Sequence, residues 1–256
     1  HLLFFLLFYS KKYNIMHISE ESIVGELVAK DYRTAAVFKQ NKIDFCCNGN
    51  RTITNACEQK KIDSKQLIEQ LIEATTTNTT NNSEFNSWPI DLLADYIEKK
   101  HHRYVETKIK EIMPFLHKVV RVHGERHPEL AEVEGLFVEC AEELTEHMQK
   151  EEMVLFPFIR EMVEAKHNGT NVKSAFGTIQ NPIGMMMHEH DAEGERFRKI
   201  AALTNNYNPP IDACSTYRVT FSLLKEFEDD LHLHIHLENN ILFPKSIQLE
   251  TQFSAS

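Results

Sequence analysis

Two segments of the chain repeat one chemical pattern, and this repeat constrains the fold more than any other feature. His147-Met-Gln-Lys-Glu-Glu-Met-Val-Leu-Phe-Pro157 and His234-Ile-His-Leu-Glu-Asn-Asn-Ile-Leu-Phe-Pro244 agree at the histidine, at the glutamate four positions later and at the closing Leu-Phe-Pro. A lone histidine precedes each copy at a similar distance, His102 by 45 residues and His190 by 44 residues. The sequence therefore predicts two similar pairs of helices, each contributing one His and one His-x-x-x-Glu.

The spacing within each copy predicts a metal half-site, because residues i and i+4 lie on one face of a helix and reach the same point together. Both copies lie on apolar stripes, formed by Leu144, Met148, Leu155 and Phe158 in the first and by Phe227, Leu231, Ile241 and Leu242 in the second. Carboxylates and imidazoles buried there are costly unless they are paired or coordinated. A single His-x-x-x-Glu is typical of a surface ion pair, whereas two matched copies favour metal. The predicted ligands are His102, His147, Glu151, His190, His234 and Glu238.

The types of ligand favour iron over other metals. Imidazole suits zinc, copper, iron and nickel, while carboxylates suit harder ions, and a zinc ion is usually satisfied by four ligands. Six ligands with two carboxylates able to bridge indicate two non-haem iron ions, with an oxo or hydroxo bridge. The pattern differs from the Glu-x-x-His of ferritin-like bundles and has fewer carboxylates, which favours the binding of small gases.

Four long segments with helical periodicity follow residue 88, at about 90–122, 129–166, 182–203 and 212–249. Gly, Pro and Asn residues punctuate the gaps between them. The segment 231–237 alternates like a strand, but its flanks have helical periodicity, so it is interpreted as helix. The sequence predicts an all-α fold with an up-down four-helix bundle over 88–249.

The chain before the bundle is predicted to hold a small helical domain. Short runs with helical spacing cover residues 16–74, and a polar linker rich in Thr and Asn follows at 75–87. Residues 1–15 are interpreted as a leader or an artefact, with Met16 as a working start. Their apolar run is far shorter than the roughly 20 residues that a membrane-spanning helix needs.

Two adjacent cysteines, Cys46 and Cys47, precede the turn signal Asn48-Gly49. A bend after a helix can make one thiolate reactive. The alternative, two small apolar residues packed beneath a turn, is equally compatible with the spacing. The other cysteines, Cys57, Cys140 and Cys214, are predicted to lie in the core.

Charge and cysteine usage exclude several classes of protein. The formal charge of −10 and the lack of a dense Lys/Arg cluster argue against a nucleic-acid partner. Five cysteines, two of them adjacent, do not form the paired framework of a small secreted domain, which favours a reducing, cytoplasmic compartment. No membrane association is expected, and homodimerisation is left open.

With these residues in place, the chain resembles the RIC (repair of iron centres) family of YtfE/ScdA-type di-iron proteins. The resemblance covers about residues 19 to 247. Its motifs are Asp44-Phe-Cys-Cys-Asn-Gly49, Glu143 to Pro157, His188-Glu-His-Asp-Ala-Glu-Gly194 and His234 to Pro244. It implies a hemerythrin-like bundle after a ScdA-like N-terminal domain. The implied ligands are the four histidines, with Glu151 and Glu238 as bridges.

The resemblance also implies further site residues and a function. Glu143 and Glu189 match acidic residues near the family's site, whereas His101 stands where an aromatic residue is expected. The implied role is restoring iron–sulfur clusters damaged by nitric oxide or oxidants, by iron donation or by nitric oxide reduction at the di-iron site. Damaged iron–sulfur proteins would then be partners. The alternatives are a protein that binds or senses oxygen or nitric oxide without repair, and a plain structural helical protein.

Overall fold

The structure, a computed structural model, describes residues 16–76 and 85–254. Within these ranges it is helical, and its strand-like pairing is a single isolated bridge between Ile23 and Thr52. The all-α prediction is confirmed. The interpretation of residues 1–15 lies outside the described residues, as does most of the predicted linker, so the domain boundaries stay predictions.

Four short helices form the N-terminal domain. They are α1 (Val24–Lys30), α2 (Arg33–Gln40), α3 (Ile53–Lys60) and α4 (Ser64–Thr76). The Thr52 hydroxyl accepts a hydrogen bond from the Asn55 backbone N–H and so caps α3. Apolar side chains from all four helices fill the centre of the domain, among them Leu27, Phe38, Ile53, Leu67 and Leu71.

The rest of the described chain forms four long bundle helices, three of which contain a π-helical turn. Bundle helix 1 consists of α5 (Ile90–Tyr96), a π-helical turn (Ile97–His102) and α6 (Arg103–His123). Bundle helix 2 consists of α7 (Glu129–Lys150), a π-helical turn (Glu151–Leu155) and α8 (Phe156–Asn168). Bundle helix 3 is α9 (Gln180–Leu203). Bundle helix 4 consists of α10 (Ser215–Leu237), a π-helical turn (Glu238–Leu242) and α11 (Phe243–Ser254).

The bundle agrees with the sequence prediction in the number and order of its helices. α6 packs against α7 and α10, and α7 packs against α9. The alternating segment 231–237 is helical within α10, as predicted. Among the described helices, none combines the length and the apolar character that crossing a bilayer requires.

Two of the three π-helical turns lie where the repeat places its Leu-Phe-Pro motif. Pro157 and Pro244 are each the second residue of the α-helix that follows a π-helical turn. Proline lacks the N–H that would continue the α-helical hydrogen-bond ladder. The helix therefore widens in the turn before the proline, and the α-helix restarts with the proline in its first turn, where proline is tolerated. Such turns are frequent at functional sites. The two turns that precede a proline begin at Glu151 and Glu238, and the third ends at His102.

Two apolar clusters fill the part of the chain that the structure describes, with a polar layer between them along the bundle helices. The larger cluster unites the N-terminal domain with one end of the bundle and includes Leu144, Met148, Leu231 and Ile235. The smaller cluster fills the other end and includes Leu155, Phe156, Leu237 and Ile241. The repeated His-x-x-x-Glu residues lie between these positions in both helices.

The N-terminal domain approaches the bundle closely at two glycines. The Gly25 N–H donates to the Gly49 carbonyl at 2.7 Å, and the Asn240 side chain of bundle helix 4 donates to the Phe45 carbonyl at 3.2 Å. A Cβ atom on Gly49 would collide with the Phe45 carbonyl oxygen and would lie 3.0 Å from the Gly25 Cα. Both of these atoms belong to the N-terminal domain, and the same Cβ atom would lie 3.1 Å from Asn240 Oδ1 of bundle helix 4, so this packing requires glycine at position 49.

We expect Gly49→Ala to lower the free energy of unfolding by about 1–3 kcal/mol, because backbone must move to accommodate the methyl group. Gly135 in α7 is the matched control, since a Cβ atom there would meet nothing within 4 Å. Gly135→Ala is expected to stabilise the protein by up to about 1 kcal/mol through higher helix propensity. Chemical denaturation followed by circular dichroism measures both changes, and an unchanged Gly49→Ala variant would contradict the close approach.

Candidate metal centre

The structure brings the six predicted ligands together in the interior of the bundle. Within each copy of the repeat the Nε2 atom lies close to a carboxylate oxygen, at 3.4 Å for His147 and Glu151 and at 3.0 Å for His234 and Glu238. The π-helical turns start at these glutamates, so each carboxylate follows its histidine by one helical turn. The half-site that the spacing predicts is present twice.

The two lone histidines complete the arrangement from the neighbouring helices. His102 Nε2 lies 3.3 Å from Glu151 Oε2, and His190 Nε2 lies 3.2 Å from Glu238 Oε2. The donor atoms form two groups, each within a span of 4.8 Å: one holds His102 and His234, the other holds His147 and His190, and both include Glu151 and Glu238. Both carboxylates are therefore shared between two adjacent positions for a cation.

Burial makes this arrangement costly without a cation. All six side chains are at most 3 % exposed. His102 Nε2, both carboxylate oxygens of Glu151 and Glu238 Oε2 are buried without a hydrogen-bond partner. Groups of this kind cost several kcal/mol when left unpaired. A coordinated cation would satisfy these atoms at once, so the donor set fits a metal.

The two carboxylates respond differently to the same environment. Burial raises the pKa of Glu151 to about 8, and the neighbouring Glu238 carboxylate adds to the rise. Burial also acts to raise the pKa of Glu238, but His234 and His190 outweigh it and lower that pKa. Two carboxylates this close cannot both be ionised cheaply unless positive charge lies between them.

Carboxylates outside the centre orient two of the histidines. Glu152 accepts from His102 Nδ1 at 2.9 Å, and Glu189 accepts from His147 Nδ1 at 2.8 Å. The hydrogen bond from His147 lowers the pKa of Glu189 to about 2, and Lys150 donates to the same carboxylate. Such contacts fix the Nδ1–H tautomer and leave Nε2 free toward the centre.

An amide takes this role for the third histidine. His190 Nδ1 donates to Asn239 Oδ1 at 2.9 Å. Neither Asn239 nor Glu152 was predicted from the sequence, although the repeat contained the signal: each residue directly follows a predicted bridging glutamate. The corresponding nitrogen of His234, Nδ1, is buried without a hydrogen-bond partner.

Glu143, predicted from the resemblance, lies one step further out. It makes an ion pair with Arg196 at 2.8 Å. It also lines a cavity of about 150 Å³ whose wall includes Glu146, His147 and His190. The cavity borders the ligands, and a role for Glu143 in the site stays a prediction.

The structure distinguishes His102 from the adjacent His101. Both are buried in the same π-helical turn, but only His102 belongs to a donor group. His101 Nδ1 pairs with Asp230 at 3.0 Å, and its ring stacks on His234 with centroids 5.7 Å apart. His101 therefore supports a ligand by packing, in the position where the resemblance leads us to expect an aromatic side chain.

The paired thiols lie against the metal centre. The sulfur atoms of Cys46 and Cys47 are 3.7 Å apart, and the Cys47 thiol donates to the His190 carbonyl at 3.3 Å. The Cys46 side chain is buried, and its contact with Cys47, together with burial, raises the pKa of the Cys46 thiol. Both backbone N–H groups donate to Asp44 Oδ1. Cys46 is therefore packed beneath the turn, whereas Cys47 is half-buried and keeps part of its surface accessible.

The remaining cysteines divide between core and surface. Cys57 and Cys140 are buried, as predicted. The prediction for Cys214 was wrong, because this residue is exposed at the N-cap of α10. The helical periodicity of the sequence predicted that Cys214 lies within a helix and faces the core. In the structure, α10 begins one residue later, at Ser215.

Comparisons with known proteins agree with the fold and with a cation-binding bundle. Residues 20–75 match the ScdA_N model, described as a Domain of Unknown function (DUF542), and residues 93–246 match the Hemerythrin HHE cation binding domain. The chain is 32% identical over 229 residues to the iron-sulfur cluster repair protein ScdA of Staphylococcus haemolyticus, covering 89% of this chain and 99% of that protein. It is 35% identical over 230 residues to the iron-sulfur cluster repair protein YtfE of Yersinia pestis strain Pestoides F, covering 89% and 97%.

Fold and site together define a hemerythrin-like, cation-binding four-helix bundle that follows a small helical domain. The shared architecture extends over nearly the full length of the relatives. The chain belongs to the YtfE/ScdA family, whose members are named iron-sulfur cluster repair proteins.

We expect Glu189→Gln to weaken metal binding by about 10–100-fold, because the hydrogen bond that orients His147 loses its charge. Competition with a chelator of known affinity measures the change. Glu146→Gln is the matched control, since Glu146 lines the same cavity without a hydrogen bond to a ligand. Equal losses in the two variants would show that the general charge of the cavity matters instead.

A second prediction concerns stability without metal. In excess chelator, Glu151→Leu should raise the free energy of unfolding by about 1–3 kcal/mol, because it removes a buried carboxylate with two unsatisfied oxygens. The same variant should lose stoichiometric metal. Equilibrium denaturation and elemental analysis test both effects. The exposed control Glu146→Leu should stay within about 0.5 kcal/mol of wild type.

Proposed function

We propose that the chain binds two non-haem iron ions, bridged by Glu151 and Glu238, and acts in the repair of damaged iron–sulfur clusters. The observation that carries the metal proposal is the sharing of both carboxylates by two four-residue donor groups. His102 and His234 would hold one ion, and His147 and His190 the other. Bound iron would supply Lewis acidity and redox capacity.

Iron fits this donor set better than the alternatives. Each four-residue group combines two imidazoles with two carboxylates, and neither group contains a thiolate. This mixture of nitrogen and oxygen ligands favours a metal of intermediate hardness. Structural zinc sites are closed by four ligands around one ion, whereas here two positions share their carboxylates. An oxo or hydroxo bridge would complete the coordination of both ions.

Repair of iron–sulfur clusters is supported by the names of the relatives and by the surroundings of the site. The cavity beside His147 and His190 is lined by four glutamates, whose carboxylates would attract a ferrous ion to the site. The thiol pair contacts the backbone of a ligand, and thiols are ligands that iron accepts during cluster assembly. Damaged iron–sulfur proteins in the cytoplasm would be the clients, with nitric oxide or oxidants as the source of damage.

The proposed function predicts that the iron-loaded protein restores the activity of a [4Fe–4S] enzyme inactivated by nitric oxide. Recovery should exceed that given by an equal amount of free ferrous iron. The variant Glu238→Leu, which lacks one bridge, should give no recovery beyond free iron. Recovery that does not depend on this bridge would contradict the role of the centre.

A protein that only binds or senses gas would behave differently. The variant with both Cys46 and Cys47 changed to Ser should then keep its metal and its gas affinity, and it should behave like wild type in the recovery assay. For a repair protein, the same variant keeps its metal but loses the recovery of the client enzyme. Elemental analysis alongside the recovery assay separates the two functions.

A further inference from the structure

One side chain joins the thiol turn to a metal ligand. Asn239 Oδ1 accepts from His190 Nδ1 at 2.9 Å, and Asn239 Nδ2 donates to the Cys46 carbonyl at 3.2 Å. A carbonyl can only accept, so the NH₂ group must face Cys46 and the amide oxygen must face His190. Asn239 is 8 % exposed, so water hardly competes for these bonds.

The repeat explains why this residue is an amide. Glu152 holds the equivalent position in the first copy and accepts from His102 Nδ1 at 2.9 Å. A carboxylate is sufficient to accept a hydrogen bond from a histidine. An ionised carboxylate has no donor, however, so it could not also bond a backbone carbonyl. The second half-site therefore carries an amide at the position that bonds both the ligand His190 and the Cys46 carbonyl of the N-terminal domain.

Two further contacts hold the thiol turn at His190. The Cys47 thiol donates to the His190 carbonyl at 3.3 Å. Gly194, one helical turn further along α9, leaves the space for it, because a Cβ atom there would lie 2.9 Å from Cys47 Sγ. These contacts touch the backbone of α9, whereas Asn239 joins the thiol turn to the His190 imidazole.

We propose that Asn239 is a positioning residue that couples metal occupancy to the exposure of the thiol pair. This coupling rests on the proposed metal site. A bound ion would fix the His190 ring, and the ring would fix Asn239 and, through it, the Cys46 carbonyl. Displacement of the turn would in the same way release His190. Such a coupling is reciprocal at equilibrium: the factor by which metal disfavours displacement of the turn equals the factor by which displacement of the turn weakens metal binding.

The variant Asn239→Asp separates the two arms of the link. It keeps an acceptor for His190 Nδ1 and removes the donor to the Cys46 carbonyl. Glu152→Gln is the matched control, because it alters the support of His102 at the equivalent position without touching the thiol turn. Asn239→Asp should therefore bind metal but lose the coupling, whereas Glu152→Gln should bind metal more weakly and keep it.

The experiment measures alkylation of Cys47 by iodoacetamide under anaerobic conditions, with and without saturating Fe²⁺, by peptide mass spectrometry. In wild type, Fe²⁺ should slow the reaction about five-fold or more. In Asn239→Asp the rate should be the same with and without Fe²⁺. The exposed Cys214 is an internal control, since it lies about 30 Å along bundle helix 4 from His234 and should not respond.

The reciprocal measurement needs no variant. Wild-type protein alkylated at Cys47 should bind Fe²⁺ about five-fold or more weakly than unmodified protein. Equal affinity of the two forms would overturn the coupling, as would equal protection of Cys47 in wild type and Asn239→Asp. A lack of Fe²⁺ binding by unmodified protein would instead overturn the proposed metal site, which elemental analysis detects separately.

Discussion

The burial of two carboxylates at one point of the bundle is the constraint on which the rest of the structure depends. Glu151 and Glu238 are fully buried and close enough to belong to the same two donor groups. Their mutual repulsion would favour separation of the helices that carry them, and water that could screen it is excluded. The four histidines and a bound cation each offset part of that cost, and the outer carboxylates orient two of the histidines.

Much of the fold and of the inner site could be predicted, because both follow from local spacing. Helical periodicity and punctuation gave the four bundle helices within a few residues, and the i, i+4 pairs with matched upstream histidines gave all six donor residues. The π-helical turns were not predicted. They add a residue to a turn without changing which residues are apolar, so a period of 3.6 still describes the flanking helices.

Contacts between distant segments could not be read from spacing. Nothing in Cys46 and Cys47 themselves indicates that their turn packs on His190, because that contact depends on how the N-terminal domain docks. The spacing of the repeat selected His102 over the adjacent His101, but the contact of the His101 ring with His234 depends on how bundle helices 1 and 4 pack together. Cys214 was misassigned because a helix start defined by a cap is uncertain by a few residues in sequence.

The polar layer divides the apolar core into two clusters, and this has a consequence for local unfolding. Helices that cross the layer are held on either side by separate sets of side chains, so the ends of the bundle can open in hydrogen exchange as separate units. An ion held by residues from all four bundle helices would join these units. Amide protection should then become uniform along α7 and α10 when metal is bound, and should fall into two levels when it is removed.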